Sequence, residues 1–486
     1  MKEAYGWNTV WNVWNRKYTI WGMLAAYRVT GDRAILDSVV RQANQLVDTM
    51  GRLKISFAET GQPEKVGLPS MSILKPMLLL YRETKDIRYL DCARGIVKDW
   101  CRTDGRCPNL LANAGRSDPL WSWYANPNKW AKSYEMMSCL DGLLEYARVT
   151  GDETVLASVR KVVSNLEASE LNPLGDVGYV DMFFDARHQP NACTEVCDAV
   201  HWIRLNLDLY RMTGDSHYCD AAEVAYLNAF LAGVYRDGSW TAFAVRGAAH
   251  HESDRQCGYT LNHCCVNNAA RTWMDMAETT VTVGTNGVYH VNFYQDATVR
   301  LDGIAFGIAG NYPVSNIVHV SVSRDVPIEF RRPSWCRDLK VARTADGYDL
   351  TFDMNDRLVD CPERNDLRSQ TEWHFNRYCV TEKSSDDAVV TSFRRRPAAV
   401  LMHGPLLLAK SRRTGSTDAE LTGRSTMRGQ GCTVRLHPVP CAGVWGAWDV
   451  TLKRPDGATV ETRVCDFQSA GDTCGEDGAA QFTIWF

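Results

Sequence analysis

The chain has 486 residues, 45% of them hydrophobic, with a formal net charge of −4 and 17 cysteines. That length allows two or three domains around a large core, and the balanced charge excludes nucleic acid or an anionic membrane surface as the main partner. No apolar run approaches a membrane span, and the first residues lack the basic-then-apolar order of a secretory leader. An odd cysteine count in so long a chain reads as free, mostly buried thiols in a reducing cytoplasm.

One phrase recurs along the first half. AYRVTGDRAIL covers 26–36, LYRETKDIRYL 80–90, YARVTGDETVL 146–156 and LYRMTGDSHYC 209–219. Each copy follows an amphipathic run, such as YTIWGMLAAY or MSCLDGLLEY, with apolar residues at helical spacing. In three copies a glycine stands where a helix must stop and an aspartate follows as the next N-cap; the second copy has Lys85 in place of the glycine. The phrase predicts the corner of a helix–turn–helix hairpin. Its repetition predicts stacked α/α hairpins, either an open solenoid or a closed toroid.

Near residue 285, at VTVGTNG, the texture changes. GVYHVNFYQDATVRL, NIVHVSVSR, AAVLMHGPLLLA and CTVRLHPV are short, rich in β-branched residues and often alternating, the pattern of strands. Residues 1–285 therefore read as a helical domain and 286–486 as a β-sandwich region, with a polar, poorly structured stretch at 354–390.

NHCCVNN, residues 262–268, sets Cys264 beside Cys265. Zinc is held by four N, S or O ligands, and cysteines close in sequence commonly supply two of them. TEVCDAVHW offers Glu195 and Cys197, two apart and just before a predicted helix, with Cys193 and His201 as spare candidates. Three thiolates and a carboxylate bring four negative charges to a divalent ion, and such a site keeps sulfur ionised yet nucleophilic. Spacing alone leaves the alternative of two thiols simply buried near the axis of the hairpins.

Seven stretches carry a family resemblance. WNRKYTIWGMLAAYRVTGD, SILKPMLLLYRETKDIRYLDCARGIV, KSYEMMSCLDGLLEYARVTGD, TEVCDAVHWIRLNLDLYRMTGD, NHCCVNNAAR, FRRPSW and HGPLLLAK come in this order. Over roughly residues 10–410 the chain resembles glycoside hydrolase family 127, a group that includes β-L-arabinofuranosidases. The resemblance implies a multidomain α plus β protein. Its (α/α)6 toroid-type helical barrel is followed by β-sandwich; this chain starts at about the third helix, which implies either a shortened barrel or one completed in another way.

The resemblance also implies a retaining glycosidase with a zinc-bound cysteine nucleophile. The implied zinc ligands are Glu195, Cys197, Cys264 and Cys265, with Cys264 as the nucleophile. At the place of the family's acid/base glutamate stands Asp181, one methylene shorter, with Asp185 as the nearby rival. The implied partner is an oligosaccharide or glycoside carrying L-arabinofuranose or a related plant-glycan sugar, and a homodimer is compatible with all of this. Trp7, Trp11, Trp14, Trp21, Trp121, Trp123 and Tyr124 are candidate sugar platforms, and His250, His251 and Glu252 candidate rim residues. Lys132, Tyr134 and Glu135 fall in a family stretch without an assigned role. Two rival readings remain. One is a carbohydrate-binding homologue with impaired catalysis, favoured by Asp181 and the short N-terminus. The other is a metal-free α/α-toroid hydrolase of the unsaturated-uronide type.

Overall fold

The structure, a computed structural model, describes residues 10–60, 68–103, 109–123, 132–178, 182–183, 186–188, 194–234, 238–240, 264–361, 398–422, 427–470 and 482–486. The chain divides into two compact units, Met1–Glu170 with Asp181–Asp185, and Leu171–Val180 with Ala186–Phe486.

Three hairpins build the first unit: α1 (Val10–Thr30) with α2 (Arg33–Leu53), α4 (Leu74–Thr84) with α5 (Ile87–Trp100), and α7 (Ser133–Thr150) with α8 (Glu153–Ser169). Short helices α3 (Leu68–Met71) and α6 (Leu110–Asn113) lie between them. Helix α4 packs against both α1 and α7, so the first helix of each hairpin forms an inner layer. The second helices lie outside and bury one stripe each, Leu36, Val39, Ala43, Leu46 and Met50 on α2 and Val155, Val159, Val162, Val163 and Leu166 on α8. That spacing is the 3.6-residue period read from the sequence. Gly142 sets the approach of α7 to α4, because a Cβ there would meet Leu74 Cβ at 3.0 Å. The inner layer is also polar: Lys17 donates to Ser138, Lys75 pairs with Asp141 at 2.5 Å and Arg82 with Glu145 at 2.9 Å.

The repeated phrase is the hairpin corner. Gly31, Gly151 and Gly214 have φ near +70°, and Lys85 takes the same left-handed conformation at φ 59°. Asp32, Asp86 and Asp152 are N-caps whose carboxylates accept from the backbone N–H two residues on. The fourth corner differs from expectation. Ser216 holds the cap position there, while the Asp215 carboxylate accepts from His217 N–H. The threonines have a part the sequence did not disclose. Thr30, Thr84, Thr150 and Thr213 each donate to the carbonyl four residues back. In three corners the same hydroxyl accepts from the following aspartate N–H at 3.2 Å, so one side chain ties the end of one helix to the start of the next.

The second unit opens with the fourth hairpin, α9 (Val196–Thr213) and α10 (His217–Ala225), and α11 (Cys264–Thr280) packs along α9. Strands follow directly. VTVGTNG is a hairpin turn between β1 (Val281–Val283) and β2 (Tyr289–Val291). Strands β3 (Ala297–Leu301), β4 (Ile304–Ala309), β5 (Ile317–Val322), β6 (Ile328–Phe330), β7 (Leu339–Arg343), β8 (Gly347–Phe352) and β9 (Arg357–Cys361) come next. After them are β10 (Ala398–His403), β11 (Leu406–Ser411), the short helix α12 (Asp418–Thr422), β12 (Thr433–Pro438), β13 (Ala447–Lys453), β14 (Thr459–Asp466) and β15 (Phe482–Thr483). They form sheets in the orders β1-β2-β6, β3-β4-β5-β8-β7 and β12-β13-β14-β11-β10-β9, with β15 on β11. Side chains from the first two sheets share one core around Val291, Phe306, Val320 and Phe352. The third sheet closes over Leu408, Trp448, Val450 and Phe486.

The order read from the sequence, α/α hairpins and then β-sheet, is the order found, and each segment named as strand contains one or two strands. One expectation is corrected: the stretch called poorly structured begins with β9, which pairs with β10. Two family-like motifs turn out to be latches onto the α10 end of the helices. Arg331 of FRRPSW pairs with Asp220 and Glu223, and the Tyr312 hydroxyl donates to Glu223 at 2.9 Å. Asn228 donates to the Pro405 carbonyl of HGPLLLAK and accepts from Leu407 N–H, both at 2.8 Å.

Candidate metal centre

Two helices begin at one place in the second unit. Glu195 is the N-cap residue of α9, with Cys197 in its first turn, and the CC pair opens α11. Expected just before a helix, the Glu195–Cys197 pair straddles its start, and the cysteine pair starts a helix of its own. The ligand atoms of Glu195, Cys197 and Cys265 all lie within 4.8 Å of one another. Glu195 is 4% exposed and both cysteines 0%, and the Cys197 and Cys265 sulfurs are 3.3 Å apart.

This donor set fits zinc. Two soft thiolates beside one hard carboxylate are a mixed set that zinc accepts, not the all-oxygen cage of magnesium or calcium. Two sulfurs bound tetrahedrally at 2.3 Å stand about 3.8 Å apart, so the pair need open by only about half an ångström. Buried negative groups cost heavily unless a cation or dipole offsets them, and both helices point their positive N-terminal ends at this group.

Neighbouring residues brace it. Asn268, buried and one helical turn into α11, donates from Nδ2 to Cys197 Sγ at 3.4 Å. Arg271 Nη1 donates to Asn268 Oδ1 at 2.9 Å. Neither residue was singled out from the sequence, although both sit at helical spacing from the cysteine pair. In the turn before Phe183, burial pushes the Asp176 carboxyl up to about 7, opposed by a 2.6 Å hydrogen bond from Asn172 Nδ2.

The other candidates fall as follows. Asp181, Asp185, Cys193, His250, His251, Glu252, Trp7 and Tyr124 lie outside the described residues, as do the side chains of Cys264 and Trp121. His201 is buried in α9 one turn beyond Cys197 and is not in the ligand group. In the first unit, Trp14 is buried edge-on to Tyr18 and Tyr134, and Trp21 stacks on Tyr18. Trp11 is partly exposed and meets Trp14 edge-on. Trp123 is buried with its Nε1–H on the Asp118 carbonyl. Lys17, which the sequence reading passed over, is fully buried with its ammonium 4.0 Å from the Trp14 ring centre. Lys132 caps α7 and its backbone pairs with Met182, the residue after Asp181. Tyr134 and Glu135 are buried in the first turn of α7.

The model of the GH127 catalytic domain of β-L-arabinofuranosidases matches residues 1–278, more than half of the chain. The chain belongs to glycoside hydrolase family 127. It is a glycosidase by that membership. Among solved structures it is similar to a GH127 β-arabinofuranosidase, at TM-score 0.64 and 17% identity over 98% of this chain and 76% of that one. It is as similar to a GH127 β-L-arabinofuranosidase from Geobacillus stearothermophilus T6, at TM-score 0.64 and 17% identity over 97% and 79%. A further glycoside hydrolase gives TM-score 0.54 at 14% identity over 98% and 92%. These likenesses carry the fold. No curated protein matches. Among the described residues no helix is long and apolar enough to cross a membrane.

Proposed function

We propose that this GH127 member is a retaining glycosidase with a zinc-bound cysteine nucleophile, acting on β-L-arabinofuranosides or related plant-glycan sugars. The observation that supports this most is the convergence of Glu195, Cys197 and Cys265 at two helix starts, with Cys264 next to Cys265 in the chain. The proposed ligands are Glu195, Cys197, Cys264 and Cys265. Zinc held by these residues would keep the thiolates ionised and would make the reacting sulfur a better leaving group. Catalysis is assigned to the helical domain, residues 1–285, with the β region, 286–486, as its support.

In the first step the Cys264 sulfur bonds to the anomeric carbon while the bond from that carbon to the aglycone oxygen breaks. Asp181 gives its proton to the departing oxygen. In the second step Asp181 takes a proton from water, the water oxygen bonds to the anomeric carbon, and the carbon–sulfur bond breaks, its electron pair returning to sulfur. Two inversions retain the configuration. Aspartate reaches about 1.5 Å less far than glutamate, one carbon–carbon bond, so the sugar must sit that much closer to the backbone at 181.

Metal analysis beside a panel of aryl glycosides tests the proposal. One zinc per chain and turnover of an aryl β-L-arabinofuranoside are expected. Protein that takes up no zinc and cleaves no arabinofuranoside would refute it.

A further inference from the structure

The VNNAAR segment that follows the cysteine pair has no part in the mechanism above, yet it touches the ligand group. Asn268 Nδ2 lies 3.4 Å from Cys197 Sγ, and both residues are buried. A side-chain amide donates at one end and accepts at the other, so its orientation decides which end the sulfur meets. Arg271 decides it. Its Nη1 stands 2.9 Å from Asn268 Oδ1, and a guanidinium can only donate. With the oxygen held there, the NH2 end faces the sulfur. A reversed amide would set a carbonyl oxygen on an electron-rich sulfur and an NH2 on a guanidinium, two repulsions at once.

We propose that Asn268 is a positioning residue that donates a hydrogen bond to the Cys197 thiolate, and that Arg271 locks the amide in the donating orientation. This deepens the zinc–cysteine reading and rests on it. Groups just outside a ligand set orient the ligands and tune their basicity. A sulfur that accepts an N–H is a weaker base and a poorer nucleophile than one that does not. The hydrogen bond therefore marks Cys197 as a permanent ligand and leaves attack to another sulfur, Cys264 in the mechanism proposed. Asn268 follows Cys265 by three residues and precedes Arg271 by three, so one face of α11 supplies ligand, donor and lock.

The test uses the full chain as wild type, Asn268→Leu, Asn268→Asp, Arg271→Gln and Arg271→Leu. Two quantities are read: zinc affinity by competition with a chelating indicator, and the thiolate-to-metal charge-transfer band of the cobalt-substituted protein. Loss of the donor in either Asn268 variant should weaken zinc binding roughly ten- to hundredfold and move the band to longer wavelength. Asn268→Asp keeps the side-chain shape, so it decides the matter where Asn268→Leu does not fold. Arg271→Gln can still donate to Oδ1 and should stay close to wild type, whereas Arg271→Leu should fall towards Asn268→Leu. A merely structural role would lower the melting temperature of the metal-free protein without moving the band. Unchanged affinity and band in both Asn268 variants would overturn the positioning role while leaving the zinc reading intact. Wild type that takes up neither zinc nor cobalt would overturn the zinc reading, and this inference with it.

Discussion

Asp176 should make the stability of this protein depend on pH in an unusual direction. It sits in the turn closed by the Leu171–Val177 backbone pairing, with no exposed surface. Burial raises its carboxyl from 3.8 to about 7, against the pull of the Asn172 hydrogen bond. The folded state therefore holds this proton more tightly than the unfolded chain. The stabilisation is fully present below the unfolded value and is lost as pH rises through about 7. A rise of about three pKa units at 1.36 kcal/mol each is worth about 4 kcal/mol. Asp176→Asn fixes the neutral state, and its oxygen can still accept from Asn172. Urea unfolding of the two proteins, followed by tryptophan fluorescence, should show the variant ahead by about half a kcal/mol near pH 4 and by about 4 kcal/mol near pH 8. Subtracting the two curves removes every other titrating group. A gap that stays flat across this range would refute the buried-carboxyl account.

Lys85 occupies a left-handed corner at φ 59°, so Lys85→Gly should raise thermal stability by about 1 kcal/mol. Gly151→Ala should lower it by a similar amount through the backbone alone, since a Cβ there meets nothing within 4 Å. Arg331→Leu leaves Asp220 and Glu223 without their buried cation and should cost about 3–5 kcal/mol in denaturant unfolding. Cys264→Ser should abolish turnover with the fold intact, whereas Cys265→Ser should also lower zinc content and melting temperature. Asp181→Asn should slow glycosides with poor leaving groups far more than activated aryl glycosides, as kinetics across a leaving-group series will show.

The hairpin corners were legible because their signals are local. In three of the four phrases the aspartate is the cap of the next helix, and a cap needs no distant partner. The threonine's double role escaped because a hydroxyl that both donates backwards and accepts forwards is visible only once the turn is built. FRRPSW could be seen as a motif but not as a latch. Its arginine meets Asp220, 111 residues back, and nothing local announces that pairing. The ligand group shows the same divide. The two-residue spacing of Glu195 and Cys197 stood out, but their meeting with Cys265 depends on α11 packing along α9; spacing left that meeting as one of two alternatives, and the family resemblance favoured it. Asn268 and Arg271 were within reach: a helix starting at the cysteine pair places them on the next two turns.

A vicinal cysteine pair at a helix start brings its own electrostatic logic. On the proposed ligand set, one carboxylate and three thiolates place four negative charges in a buried space, and a divalent ion cancels only half of them. The N-terminal ends of α9 and α11 each present about half a positive charge, which removes about one more. What remains is roughly a single negative charge, and the group the structure aims at it is the Asn268 amide, held in place by Arg271. A residue at 271 that cannot hold the amide frees Asn268 to turn its donor away and leaves that charge without its hydrogen bond in a low dielectric, where it costs most. An irregular segment at the cysteine pair would have supplied neither the dipole nor the helical spacing that carries Asn268 and Arg271 to the sulfur. The helix is thus what allows so electron-rich a ligand set to be buried, and its local charge balance turns on two residues that bind no metal.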